Sequence, residues 1–219
     1  MTDESPTTRA FYARERFWKS LGELDPDCLS PLMNPSLMGG PKWPDMRQAW
    51  RVIRKPTSTI IASDGLSDPF EGKDGSTGFK IELAAEAPLR LDTFEAVRSS
   101  WLFDMVFQAS QLVAHHRNVY GLLQQYRTLS TVVNVGGVPG EYLNSSGKVG
   151  ILVGFPTKEL PAEIELVGGN VRLLVVKILH RRELEFIESH EHNMDKQRDI
   201  LVEKFGDDHL SRIDWVSVV

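Results

Sequence analysis

The sequence predicts an α+β fold: a single domain in which helices pack on a mixed β-sheet. Three observations point there. Residues 59–62 are β-branched and apolar, and residues 79–84 alternate apolar and polar after two turn clusters, so two neighbouring strands joined by a loop are expected. Residues 163–167 and 171–179 flank Gly168-Gly169-Asn170, a strong hairpin signal. Helical spacing of apolar residues recurs at the start, the middle and the end of the chain, and no polar linker, internal repeat or low-complexity segment divides its 219 residues.

The domain is expected to span residues 1–219, with 1–8 as a disordered start and 9–42 as a helix and an irregular loop. Phe11, Trp18, Leu21 and, less regularly, Phe17 and Leu24 recur at helical spacing, with Arg14, Glu15 and Arg16 between them. Thr7 or Thr8 is the expected cap, and Asp25-Pro26-Asp27 ends the helix. Pro31, Pro35, Gly39 and Gly40 keep residues 29–40 irregular. Met33, Leu37 and Met38 in that loop favour packing on the body over a lid above a binding surface. Pro44 suits the first turn of a short helix over residues 44–51, with Trp43, Trp50 and Ile53 as anchors.

The strand pair comes next. Asp64-Gly65 and Asp68-Pro69 break the first strand, because Asp bonds nearby backbone, Gly tolerates positive φ and Pro lacks an N–H. Phe79, Ile81 and Leu83 then alternate with Lys80, Glu82 and Ala84, the pattern of a half-buried strand. Asp92-Thr93 caps the longest helix, residues 94–115. Phe94, Val97, Trp101, Met105, Ala109 and Leu112 form one stripe of it, with Phe103 and Phe107 nearly opposite, as in a helix enclosed between a sheet and another layer. A short helical turn at 122–126 precedes strands at 131–135 and 149–155. After the 163–179 hairpin come helices at 181–190 and 194–205, the second with Ile200, Leu201 and Phe205 inward and Gly206 as its stop. Ile213, Trp215 and Val219 suggest a final strand.

Composition excludes several function classes. A hydrophobic share of 41% with 25% charged residues is that of an ordinary soluble domain. No apolar run approaches the roughly 18 residues a membrane span needs. The acidic, polar start is unlike a secretory signal, and the single cysteine, Cys28, fits a reducing compartment, so a cytoplasmic location is expected. The net charge of −5 argues against nucleic acid and is compatible with a basic protein partner.

Catalytic and cofactor patterns are absent. Gly65-Leu66-Ser67-Asp68-Pro69 departs from the nucleophile elbow Gly-x-Ser-x-Gly at Pro69, and its context is strand to loop. Gly147-Lys148 lacks the remainder of a P-loop, and residues 136–140 do not match a dinucleotide fingerprint. His190 and His192 diverge at a helix end, so no metal site is expected. No catalytic residue and no cofactor is assigned. Glu188, Glu191 and Asp195 recur at spacings of three and four and read as one solvated acidic face, with docking of a basic partner as the sharper alternative.

Gly65-Leu66-Ser67-Asp68, the loop Asp74-Gly75-Ser76-Thr77-Gly78-Phe79 and the pair Glu82-Leu83 resemble the signature of the suppressor-of-fused domain family. The apolar run of residues 171–179, leading into a helix that opens around Glu183-Leu184, is similar to a second family feature in the right order. The resemblance covers most of the chain from Trp43 onward and implies the α+β architecture of that family's N-terminal domain. It also implies a non-enzymatic protein-binding domain. Metazoan relatives sequester transcription factors by clamping a short segment, which adds to exposed strands between two lobes. This chain is too short for both lobes and resembles the short bacterial forms associated with immunity against toxins. An immunity protein neutralising a cognate, basic toxin is therefore the leading expectation. A regulator that sequesters another partner, and a hydrolase with an unrecognised site, are the alternatives. The expected partner contacts are Trp43, Asp64, Ser67, Asp68, Phe70, Asp74, Glu188, Glu191 and Asp195, although a turn that merely holds the strand crossover is favoured for Gly65 and Asp68.

Overall fold

Apolar residues on both faces of the central strands determine the layering of this protein, seen in a computed structural model. It describes residues 4–73 and 75–219, with Glu191 described by its backbone alone. The strands are β1 (Glu23–Leu24), β2 (Trp50–Arg54), β3 (Thr59–Ser63), β4 (Ile81–Ala87), β5 (Leu129–Val133), β6 (Val149–Val153), β7 (Glu163–Leu166) and β8 (Gly169–Leu179). They form one mixed sheet in the order β1-β2-β3-β4-β8-β6-β5, with β7 also paired to β8. Among the described residues, only β4 and β8 run parallel. The sheet and the predicted hairpin thus match the α+β expectation.

Ile61, Leu83, Ala85, Leu174, Val176 and Ile178 point into one core, and Ile60, Ala62, Ala84, Leu173, Val175 and Leu179 into the other. Helices α2 (Phe94–Arg98), α3 (Trp101–His116) and α4 (Val119–Gln125) cover the first. Helices α1 (Pro6–Leu21), α5 (Arg181–Glu188) and α6 (Met194–Phe205) cover the second. Strand β4 is therefore buried along its whole length, not half-buried as its alternation suggested. Its polar positions, Glu82 and Glu86, are inside as well. A fully buried Ile or Leu contributes about 1.5–3 kcal/mol, so these two layers supply the main stabilisation.

Several elements differ from expectation, each for a local reason. Helix α1 begins at Pro6, because Ser5 accepts the Thr8 N–H at 3.1 Å and Pro suits the first turn. Residues 44–46 form bends and 47–49 are irregular, and Trp50 starts β2, because the register Trp50 to Ser63 buries both Trp50 and Ile53. The long central helix is split at Ser99-Ser100. Thr93 caps α2 through the Ala96 N–H, and Ser100 caps α3 through the Phe103 N–H, each at 3.1 Å. Phe94 is accordingly outside the stripe and 46% exposed, and Ile200 is also exposed.

The loop of residues 29–40 packs down at its start, where Leu29 is buried and exchanges backbone hydrogen bonds with Trp50 at 2.9 Å, and then forms a 3₁₀ turn at Pro35–Met38. Met33, Leu37 and Met38 are exposed, Met38 to 74%. No strand forms at 213–219. There the backbone is bonded piecemeal: Trp215 N–H donates to the Tyr142 hydroxyl at 3.2 Å, and Val218 N–H to Glu183 at 3.1 Å. The segment before it is tied down by Lys177, whose Nζ donates to the carbonyls of Asp208 and Leu210 at 2.8 and 2.7 Å. Glu86 bonds His209, Lys55 and Ser58 at 2.9, 2.9 and 2.5 Å. Burial alone would raise its pKa; these hydrogen bonds outweigh it and bring the carboxyl down to about 2.

Candidate functional site

The turn after β3 folds back over β4 and gathers charge. Gly65 has φ 155°, and a Cβ there would sit 2.9 Å from the Arg47 carbonyl oxygen, so only glycine fits. The turn aims the Gly65 and Ser67 N–H groups at Glu82, each at 3.0 Å. The Ser67 hydroxyl donates to the same carboxylate at 2.6 Å, and the Ser63 hydroxyl does likewise. Arg14 enters from α1. Its Nε meets Asp64 at 2.5 Å, one Nη bonds Asp68, and the other donates to Ser67 at 3.1 Å. Arg47 closes the outer side, 3.2 Å from Asp68 and 3.4 Å from Asp64.

Three carboxyl groups thus share two guanidinium groups. Desolvation raises the Glu82 pKa, and Arg14, 3.8 Å away, offsets this only in part. Asp64 is also desolvated, but its direct bonds to Arg14 and Arg47 hold it below the ordinary carboxylate range. For Arg14, burial acts downward while Asp64, Asp68 and Glu82 hold the guanidinium charged and its pKa raised. The arrangement is a closed ionic clasp between a helix and the sheet.

The expected contact residues separate into two groups. Trp43 is buried against Trp50, with ring centroids 5.4 Å apart, and Asp64, Ser67 and Asp68 are buried within the clasp. These four side chains therefore lie inside the fold rather than on its surface. Ser67 is fully enclosed, its hydroxyl donating to Glu82 and accepting from Arg14. Phe70 is half-buried on Phe79, centroids 5.7 Å apart. Asp74 lies outside the described residues, as does the Glu191 side chain. Glu188 and Asp195 are exposed, but they do not share one helical face. Glu188 ends α5, a 3₁₀ turn at Glu191–Asn193 intervenes, and Asp195 lies in the first turn of α6.

Sequence reasoning missed Arg14 and Arg47 as partners of the motif. A signal existed for Arg14, which stands four residues after Ala10 and four before Trp18, on the buried face of α1. A second missed feature is the sheet's end: β5 pairs with β6 alone, leaving its outer backbone edge open. Among the described residues no cluster suited to a metal ion occurs, and no helix is long and apolar enough to cross a membrane.

Comparison of the fold with solved structures is decisive. A chain of the Sufu–Fu complex crystal structure superposes with a TM-score of 0.50 at 15% identity, covering 97% of this chain and 92% of that one. The crystal structure of Drosophila Suppressor of Fused superposes with a TM-score of 0.52 at 15% identity, again over 97% of this chain. This chain has the suppressor-of-fused fold. It spans about half, 51%, of the Drosophila chain. By sequence, no family model matches it and no curated protein matches it. The turn of residues 65–68 and the segment 75–79 meet beside the clasp, where Phe79 N–H donates to the Leu66 carbonyl at 2.8 Å.

Proposed function

We propose that this suppressor-of-fused-like domain is a non-enzymatic binder of another protein, and that it receives a segment of that partner along β5. The open edge of β5 is the observation that carries the reading. An edge strand exposes a row of N–H and C=O groups that an extended segment pairs with. Residues Leu129 to Val132 are half-buried, so this strand is in part exposed. The Sufu–Fu complex supports the reading, since that structural neighbour is found with a protein partner.

The finer proposal is that the domain is an immunity protein that neutralises a cognate toxin by direct occlusion in the cytoplasm. Its support is the net charge of −5 and the exposed carboxylates of Glu188 and Asp195, which steer a basic protein. Sequestration of another regulatory protein would use the same edge. The test is a tagged pull-down from the native host, together with co-expression of the neighbouring gene's product. A stoichiometric partner that is toxic alone and harmless with this domain establishes immunity. A stoichiometric, non-toxic partner replaces immunity with sequestration, and the absence of any partner overturns both.

A further inference from the structure

A crevice of about 460 Å³ opens where β6 and β7 part company over β8. That volume is in the range of sites that hold a small ligand or an anchored side chain. Phe155, Leu160 and Val202 contribute apolar walls. Arg127 follows α4 and Arg172 lies on β8, whereas Asp199 and Glu203 stand one turn apart on α6. None of these four charges is in an ion pair; Arg172 has only the Leu123 carbonyl, at 3.4 Å. Thr128 also lines the crevice. It is buried to 3% exposure, and its hydroxyl has no hydrogen-bond partner. An unmade hydrogen bond at a buried hydroxyl is costly, and such groups in native proteins call for an explanation.

We infer that this crevice docks a peptide segment of the partner in which a large apolar residue is flanked by an acidic residue and a basic one. The inference rests on the protein-binding reading and names the chemistry of what is bound. The apolar walls take the central side chain, as buried aromatic anchors do at interfaces. The arginines take the acidic neighbour, and the α6 carboxylates take the basic one. A purely anionic or purely cationic segment would place like charges together on one wall.

The probe is acetyl-Glu-Phe-Lys-amide at millimolar concentration, followed by amide resonances of the intact protein. Expected are shifts at residues 154, 155, 157, 172–175 and 199–203, and at least about tenfold weaker binding to the double variant Asp199→Lys/Glu203→Lys. Both positions are exposed on α6, so the variant folds. Acetyl-Glu-Phe-Glu-amide should bind that variant better than it binds the native protein, and acetyl-Glu-Ala-Lys-amide should bind neither. No shift in the crevice, or equal affinity of the first probe for native and variant protein, overturns the proposal. A host partner captured equally by both proteins would sink the crevice and leave the protein-binding reading standing. Probe binding at the crevice with no host partner would do the reverse.

Discussion

The Arg14 guanidinium on α1 meets the Asp64 carboxylate after β3 with Nε and Oδ1 2.5 Å apart, both groups being excluded from water. Without Arg14, the buried Asp64 would keep only the longer contact to Arg47, at 3.4 Å. Arg14→Met therefore leaves Asp64 and Asp68 short of a counter-charge and should cost about 3–5 kcal/mol in urea unfolding. Arg47→Met, at a side chain 28% exposed, should cost clearly less. A loss below about 1 kcal/mol for Arg14→Met would show that the clasp does not hold α1.

Gly78 lies at φ +52°, and a Cβ there would come within 2.5 Å of the Asp68 carbonyl oxygen and 2.6 Å of that of Leu66. Both obstacles are backbone and cannot swing aside. Gly78→Ala should destabilise by at least about 2 kcal/mol, combining left-handed strain with displacement of the turn. An unchanged melting temperature would mean that the loop repositions freely.

Successive residues of an edge strand direct their N–H groups alternately to the neighbour and to the open side. Of Ser130 and Thr131, one therefore bonds β6 and the other faces outward. Ser130→Pro and Thr131→Pro should separate accordingly: one variant loses stability, and the other stays folded but loses the partner. Calorimetry and pull-down together read this. Retention of the partner by a folded variant of each kind would exclude strand addition at β5.

Lys177 lies between the rings of Phe155 and Phe205, 5.4 and 4.6 Å from their centroids. Desolvation outweighs the attraction of the rings and of Asp208, so the pKa falls to about 8. With the folded value below the unfolded one, the unfolded chain binds the extra proton between them. Stability should rise as pH increases from about 8 towards the ordinary lysine value near 10.4. In Lys177→Met that component is gone. The difference between the two urea-midpoint curves should slope over this window and be flat below it; a flat difference throughout would mean that Lys177 titrates normally.

Much of this architecture was legible in neighbouring residues. The hairpin around Gly168-Gly169-Asn170, the bounds of α6 with its Gly206 stop and the two limbs of the Gly-Leu-Ser-Asp signature all follow from turn chemistry and periodicity. The split between α2 and α3 was also locally encoded, in Ser100, but the apolar stripe running across it concealed the cap. The candidate site was less legible. Asp64 and Asp68 look like exposed turn residues until Arg14 and Arg47 are brought to them. Glu188 and Asp195 look like one face until the intervening turn rotates them apart.

The chain's own pattern thus determines where strands, turns and most helices form, because those preferences act over a few residues. Tertiary structure decides what the pattern leaves open: the parallel pairing of β4 with β8, the burial of Glu82 and Glu86 inside a sheet covered on both faces, and the ionic clasp. It also leaves residues 213–219, an apparent strand in the sequence, as the end of an irregular tail bonded by Lys177, Glu86 and Tyr142. The reason is physical. Burial of a charge or an unpaired backbone group is favourable only when a partner completes it, and here those partners lie dozens of residues away.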